Sequence, residues 1–253
     1  MSLLRSIVAA FSCFSAIPMP HVRWDERDMR YMMAAFPLVG VVVGALMLLW
    51  MWATERLGLG TMARAIGLTL VPVVVSGGIH MDGLADVIDA QSSHAEPERR
   101  RQILKDPHVG AFAVIDVACY LLAFAGLASE VTARLVGLIA CVPVVSRCVS
   151  GLAVVCMQPA RKQGMYATAD KTAHKPVVRA LLVAELCAAA AAMIVLNPAC
   201  GGCALLAAVV ALAYVRWLAN RHYGGMSGDL AGYYLQIAEL AMLASIVLMG
   251  RVA

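Results

Sequence analysis

Long apolar stretches alternate with short polar segments along the whole chain. Such stretches predict membrane-spanning helices, because a spanning helix needs about 20 mostly apolar residues and lipid offers no water to an unpaired backbone. One uncharged stretch is long enough for two helices and contains Asn197, Pro198, Gly201 and Gly202, which favour a tight turn between them. We expect seven spans: 36–53, 65–79, 107–129, 135–160, the two halves of 186–215, and 230–250.

The composition favours a helical membrane bundle. Hydrophobic residues make up 62% of the 253 residues and charged residues only 14%, against about 45–50% and 25% in soluble proteins. Mean hydropathy is +0.80, and the scarcity of aromatic residues argues against a β-barrel. No repeat or linker marks a second unit, so residues 1–253 are expected to form one all-α domain in the lipid bilayer. The net charge of +4 gives no reason to expect nucleic acid as a partner.

The distribution of Lys and Arg predicts the orientation in the membrane. The segments 21–35, 80–109, 158–179 and 216–230 carry three, four, five and two of these residues. The alternating segments 55–64, 129–134, 197–201 and 251–253 carry two, one, none and one. The positive-inside rule makes the basic segments cytoplasmic, with the amino end inside and the carboxyl end outside. Pro18 and Pro20 favour a short interfacial helix over a secretory signal in residues 1–20.

The eight cysteines do not form a recognisable framework. Most lie in or beside apolar spans, where a free thiol behaves as a small hydrophobic group. Cys200 and Cys203 have CxxC spacing at the predicted outer turn, so a disulfide is conceivable there. A lone CxxC without His neighbours is weak evidence for zinc, and unpaired thiols are the favoured interpretation.

Acidic residues concentrate in one polar segment, 76–110. Asp82, Asp86 and Asp89 have i, i+4, i+7 spacing, which puts three carboxylates on one helical face within about 10 Å. Like charges at this spacing repel one another. The segment therefore predicts a cation, and oxygen ligands without a thiolate favour Mg²⁺ or Mn²⁺.

The alternative is an ordinary solvated acidic face, but two features of the segment weigh against it. Gly77, Gly78 and Gly83 surround the acids with backbone that can approach a ligand closely. Basic residues follow in the same segment, at 99–101 and Lys105. A divalent ion with cations around it can stabilise a transferring phosphoryl group, so we predict a metal–phosphate site.

At these residues the chain resembles the cobalamin synthase family, adenosylcobinamide-GDP ribazoletransferase. The similarity runs along almost the full length, although Ala90-Gln-Ser-Ser93 replaces a glycine-rich continuation and His108 stands where Arg is common. The matching elements are Phe14-Ser-Ala-Ile-Pro18-Met-Pro20, Phe36-Pro-Leu-Val-Gly40, the acidic signature 77–89, Lys105-Asp106-Pro-His-Val-Gly110-Ala-Phe112, Arg147, Arg161-Lys-Gln-Gly164-Met-Tyr166, and Gly224-Gly-Met-Ser-Gly228-Asp229-Leu-Ala-Gly232 with Glu239 beyond.

The resemblance implies a Mg²⁺-dependent transferase of substituted phosphate groups in the cytoplasmic (inner) membrane. Such an enzyme joins adenosylcobinamide-GDP to α-ribazole, or α-ribazole 5′-phosphate, and releases GMP. The product is adenosylcobalamin or its 5′-phosphate, late in cobalamin biosynthesis. The active site is expected to face the cytoplasm. The sequence allows a homo-oligomer but does not predict the oligomeric state.

Site residues follow from the segment and the resemblance together. We expect Asp82, Asp86, Asp89 and Asp106 to hold the metal, and Lys105 with an arginine of the 99–101 run to steady the departing GMP. His80 is either the general base or an orienting residue beside the carboxylates. The expected substrate-binding residues are Gly77, Gly78, Gly83, Arg101, His108, Arg161 and Asp229.

Several of these polar residues have structural alternatives. Arg147 lies in the middle of a span, where a charge is costly and usually functional, so it is a candidate catalytic residue. It would otherwise be a structural partner of Asp116, Glu185 or Glu239. Asp229 could simply favour a helix dipole, and Arg161 could serve topology or anionic lipid.

Two other protein classes fit less well. The Asp82-Gly-Leu-Ala-Asp86 stretch partly matches the CDP-alcohol phosphotransferase signature, but that class has Arg after the alanine and a later acidic block that is missing. A transporter would place its acids at mid-bilayer around broken helices in two related halves. The dense acids here lie at a predicted helix end, and the chain has no internal repeat.

Overall fold

The computed structural model describes residues 2–20, 25, 28–106, 108–160 and 164–252. The regular secondary structure in these ranges is helical. A single-turn helix at Met29–Tyr31 precedes α2, and a wide π-type turn at Ala219–Tyr223 follows α10. The α-helices are α1 Ser2–Phe14, α2 Met32–Arg56, α3 Thr61–Ser76, α4 Ile79–Ser92, α5 Pro97–Ile103, α6 Ala111–Ser129, α7 Val136–Cys156, α8 Met165–Thr172, α9 Lys175–Leu196, α10 Pro198–Leu218 and α11 Gly228–Met249.

Helix length and hydropathy make the chain a multi-pass membrane protein. Within the described ranges, six helical segments are long and apolar enough to span a bilayer, and α3 with α4 makes a seventh only if that bent pair counts as one span. The all-α prediction is confirmed. The second predicted span, 65–79, differs most, because the chain turns by 94° between α3 and α4.

Small residues bring α2 and α7 together in the core. Gly40 and Gly44 are four residues apart on α2, and a Cβ at either position would collide with the backbone of α7 at Pro143 and Ala140. Close backbone approach of this kind is the usual basis of helix association in lipid. Helix α7 also packs against α9 and α11, so it lies at the centre of the bundle.

Two glycines produce the bend between α3 and α4. Gly77 and Gly78 have φ values of 62° and 80°, in the left-handed region that other residues avoid. Their amides donate to the carbonyls of Val74 and Val73, which ends α3. Helix α4 therefore leaves the direction of α3 at once, and its aspartates face other helices rather than continuing a span.

The turn between α9 and α10 is tighter than expected. Asn197 separates the helices, as predicted, and its side chain accepts a hydrogen bond from the amide of Cys200. Gly201 and Gly202 belong to α10 rather than to the turn. The missing side chain at Gly201 lets α10 pack against the Met193 carbonyl of α9. Cys200 and Cys203 carry free thiols on this helix.

The basic segments share one end of the bundle. The Arg30 carbonyl accepts a hydrogen bond from the His174 amide, which joins two of these segments. Helix α5 packs on residues 219–223, and the backbones of Pro159 and Met226 form a β-bridge. At the opposite end of α6 and α11, Glu130 forms an ion pair with Arg251. This grouping agrees with the sequence analysis, and the compartment that each end faces stays a prediction.

Candidate active site

The candidate site lies where α4 crosses α11. A Cβ on Gly83 would lie 2.7 Å from the Asp229 carbonyl oxygen, and one on Gly232 would lie 3.2 Å from the His80 carbonyl oxygen. Only glycine leaves room for two helices this close. The crossing brings Asp229, at the start of α11, beside the acidic stretch of α4 that contains Asp82.

Negative charge accumulates at this crossing. Asp86 is half-buried, and the carboxylates of Asp82, Asp229 and Asp89 all lie near enough to act on its charge. Asp82 is exposed and Asp229 is half-buried. Because carboxylates that repel one another favour a bound cation, Asp229 joins Asp82 and Asp86 in the candidate cation site.

The Asp89 carboxylate is bonded to the start of α6 rather than directed at the candidate cation site. Its Oδ2 accepts the Gly110 amide at 2.5 Å, and its Oδ1 accepts the Ala113 amide at 3.0 Å. These amides belong to the first turn of α6, which lacks helical acceptors for them. Asp89 thus joins α4 to α6, a contact that the sequence-based metal assignment did not anticipate.

A cavity of about 290 Å³ borders the crossing between α2, α4, α7, α8 and α11. Asp82, Asp229 and Gly83 line it, and so does the buried His80. The His80 Nε2 atom has no hydrogen-bond partner within the part of the chain that the structure describes. The arrangement therefore offers a buried imidazole nitrogen next to the acidic cluster.

Three hydroxyl-bearing residues line the same cavity and were missed by sequence reasoning. The Tyr166 hydroxyl donates to the Ala153 carbonyl at 3.0 Å and ties α8 to α7. Ser227 caps α11 by accepting the Leu230 amide at 3.3 Å. Both lie in elements that resemble the family, a signal that could have found them. Ser150 lies in an apolar span and gives no such signal.

Arg147 is a buried partner of Glu239. Its guanidinium donates to Glu239 at 2.9 Å and to the Pro143 carbonyl at 3.0 Å, while Ser146 donates to the same carboxylate oxygen at 2.7 Å. The guanidinium lies 5.7 Å from the ring centre of Phe36, which lines the cavity. Arg147 is 1% exposed and is not among the described residues that line the cavity. The contacts favour the structural alternative, and a catalytic role stays a prediction.

The arginines of α5 are partly committed to structure. Arg100 donates to the side chain of Gln91 and to the Ala95 carbonyl, both at 2.8 Å. Arg101 forms an ion pair with Glu98 at 2.7 Å. Gln91 in turn donates to Tyr223 at 2.7 Å, so α5 and the π-type turn are fastened to the end of α4.

The residues after α5 lie at the surface. Asp106 and His108 are exposed and bonded to each other, and the hydrogen bonds from the His108 side chain and amide hold the pKa of Asp106 below its ordinary value. Lys105 is also exposed. Within the described chain, the Asp106–His108 hydrogen bonds do not reach the α4–α11 crossing. Arg161 lies outside the described residues.

The acidic crossing fits a shared metal ion better than a closed metal site. Among the residues that the structure describes, no group of three or more His, Cys, Asp or Glu side chains is arranged to hold a metal. Mg²⁺ usually keeps several waters and binds through one or two carboxylates together with substrate phosphates. The hard oxygen donors of Asp82, Asp86 and Asp229 suit that mode of binding.

Comparisons with known proteins agree with this site. Residues 6–247 match the CobS family model, Cobalamin-5-phosphate synthase. An adenosylcobinamide-GDP ribazoletransferase from Lachnoclostridium phytofermentans is 41% identical, covering 98% of this chain and 95% of its own. Those from Clostridium perfringens and Azorhizobium caulinodans are each 30% identical, covering 93% and 98% of this chain and 94% and 97% of their own. No solved structure matches. The chain belongs to the cobalamin-5-phosphate synthase family of adenosylcobinamide-GDP ribazoletransferases, which act late in assembly of the B12 nucleotide loop.

Proposed function

We propose that the α4–α11 crossing is the catalytic centre of a Mg²⁺-dependent phosphoryl transfer from adenosylcobinamide-GDP to α-ribazole or its 5′-phosphate. One observation carries the proposal: Asp82, Asp86 and Asp229 converge from two helices beside a cavity that also holds an unpartnered imidazole. Phosphoryl transfer depends mainly on positioning and charge neutralisation, and this donor set suits both.

The bond changes follow from the substrates. A ribose hydroxyl oxygen of the acceptor bonds to the phosphorus next to the cobinamide, and the bond from that phosphorus to the bridging oxygen breaks. The bridging oxygen leaves with GMP. Asp82, Asp86 and Asp229 would hold Mg²⁺, which when bound neutralises charge on the diphosphate.

His80 is proposed to accept the proton of the attacking hydroxyl. A neutral imidazole with a free nitrogen can accept a proton. His80 lines the cavity, and its buried Nε2 has no hydrogen-bond partner in the described chain, which favours this role over an orienting role bonded to the carboxylates. Phe36 packs edge-on against the ring at 5.9 Å and limits its movement.

Basic residues are proposed to contact the leaving nucleotide. Arg101 and Lys105 lie near the end of α4 and could meet the negative charge of GMP, together with Arg161. The glycines at 77, 78 and 83 are accounted for by the helix bend and the helix crossing, and direct substrate contact there is an additional proposal. The basic end of the bundle is proposed to face the cytoplasm, by the positive-inside rule.

The experiment is GMP release by the purified protein with adenosylcobinamide-GDP, α-ribazole and Mg²⁺. Asp82→Asn, Asp86→Asn and Asp229→Asn should each lower the rate about a hundredfold or more, because each removes a charge aimed at the metal. Glu130→Gln, at the opposite end of the bundle, is the control and should keep wild-type turnover. Near-normal turnover in the folded Asp82→Asn protein would refute the proposed centre.

A further inference from the structure

A second cavity adjoins the acidic crossing. It is an open groove of about 670 Å³ between α3, α4 and α6. Asp82 and Ile79 line both this groove and the smaller cavity against α7, α8 and α11. The two cavities therefore adjoin at one carboxylate-bearing residue of α4.

The groove has an apolar lining with a single charge. Among the described residues that line it, Asp82 is the one charged side chain, and the others are glycine or apolar. A volume of this size and an apolar wall with few polar groups are typical of small-molecule sites, which hold about 300–1,000 Å³. The walls are formed mainly by Val73, Met81, Val114, Val117, Ala118 and Leu121.

We infer that this groove binds the acceptor nucleoside, with its aromatic base against α6 and its ribose towards Asp82. The inference rests on the proposed function, since it assigns one of the two substrates to a place. The base is an apolar bicyclic ring, and it matches a wall of branched and small apolar side chains. The ribose hydroxyls match a carboxylate, which accepts hydrogen bonds.

The geometry of the transfer supports the same assignment. Attacking and leaving oxygens lie roughly in line on opposite sides of the phosphorus. The two cavities adjoin at Ile79 and Asp82, so a ribose at the Asp82 end of the groove would present its hydroxyl at the junction with the cavity that His80 lines.

Asp89 fixes the width of the groove. Its bonds to the amides of Gly110 and Ala113 join α4 to the first turn of α6, and Ala113 lines the groove. The wall formed by α6 is therefore held at a set position relative to Asp82. A groove held in this way is prepared for one size of base.

The test fills the groove and measures both substrates. In Ala118→Trp, an exposed position on the groove wall gains a large ring, and the KM for α-ribazole should rise about tenfold or more. The KM for adenosylcobinamide-GDP and the kcat at saturating α-ribazole should stay near wild type. Ile115→Trp is the matched control, because Ile115 is 55% exposed on the same helix and does not line the groove.

Other outcomes would overturn the inference. Equal changes in both KM values, or no change in either, would exclude the groove as the acceptor site. An effect on melting temperature in lipid nanodiscs without a change in KM would identify the occupant as a lipid chain. Val117→Phe provides a second, smaller filling if the first variant does not fold. Loss of turnover in Asp82→Asn alongside an unchanged KM in Ala118→Trp would remove the groove assignment and leave the proposed centre standing.

Discussion

Asp82 and Asp89 are two turns apart on α4 and have different surroundings. Asp82 is exposed at the junction of two cavities, whereas both oxygens of Asp89 accept backbone amides of α6. The i, i+4, i+7 spacing predicts a shared helical face, but it does not reveal that a neighbouring helix begins opposite the last of the three. We therefore propose Asp82, Asp86 and Asp229, rather than Asp89, as the metal ligands.

Asp89→Asn should separate capping from metal binding. Asn offers one acceptor oxygen where Asp89 offers two, so the variant should keep one of the two bonds to α6. Its turnover should exceed that of Asp82→Asn by about tenfold or more, whereas removal of the cap in Asp89→Ala should destabilise the protein by about 0.5–2 kcal/mol. The measurements are GMP release and thermal unfolding in detergent. Equal inactivation of the two Asn variants would return Asp89 to the metal site.

The buried pair of Arg147 and Glu239 makes a separate prediction. Arg147→Met alone leaves a buried carboxylate that keeps the hydrogen bond from Ser146, and loss of one partner of a buried pair costs about 3–5 kcal/mol. Exchanging both residues for apolar ones, Arg147→Met with Glu239→Leu, should recover at least half of that loss. Thermal unfolding of the two single variants and the double variant measures it.

The double variant also decides the role of Arg147. Recovery of stability together with turnover would make the pair structural. Recovered stability without turnover would support the catalytic role that the sequence suggested. A double variant less stable than either single one would contradict the view that the two charges mainly satisfy each other.

At the scale of elements, the crossing of α4 and α11 assembles the site. The aspartates of α4 could be predicted from sequence, because their spacing and neighbouring glycines are local features. The position of Asp229 could not, since it depends on two glycines 149 residues apart, Gly83 and Gly232, meeting in space. Likewise, only the folded chain distinguishes Glu239 from Asp116 and Glu185 as the partner of Arg147.

Gly83→Ala tests this crossing. The added Cβ would lie 2.7 Å from the Asp229 carbonyl oxygen, and overpacking of this kind costs about 1–3 kcal/mol. The helices should separate, and both stability and GMP release should fall. Gly126→Ala is the control, because a Cβ there meets nothing within 4 Å and alanine favours a helix by about 0.5–1 kcal/mol. Equal behaviour of the two variants would show that the close contact is unimportant.

At the scale of the whole molecule, the apolar pattern and the family resemblance predicted the helical membrane fold and the reaction class. The structure adds two details: the chain turns by 94° between α3 and α4 at Gly77 and Gly78, and Gly201 lies within α10 rather than in the turn before it. Composition does not encode these effects of backbone geometry. The grouping of basic segments at the end that holds the candidate site is a consequence of the same helix arrangement.

Orientation is the molecule-scale prediction that follows. With the basic end inside, alkaline phosphatase fused to the carboxyl end should be active, because the fusion partner would lie outside the cytoplasm. Green fluorescent protein at the same position should stay dark. The reverse pair of results would place the acidic crossing on the outer face.

The Mg²⁺ dependence of GMP release tests the central claim most directly, namely that the carboxylates of α4 and α11 share a metal ion with the donor diphosphate. Excess chelator should abolish turnover, and Mg²⁺ should restore it. In Asp229→Asn the half-saturating Mg²⁺ concentration should rise about tenfold, the equivalent of 1.4 kcal/mol, while Glu130→Gln should match wild type. Full activity in excess chelator, or an unchanged Mg²⁺ requirement in Asp229→Asn, would contradict the claim.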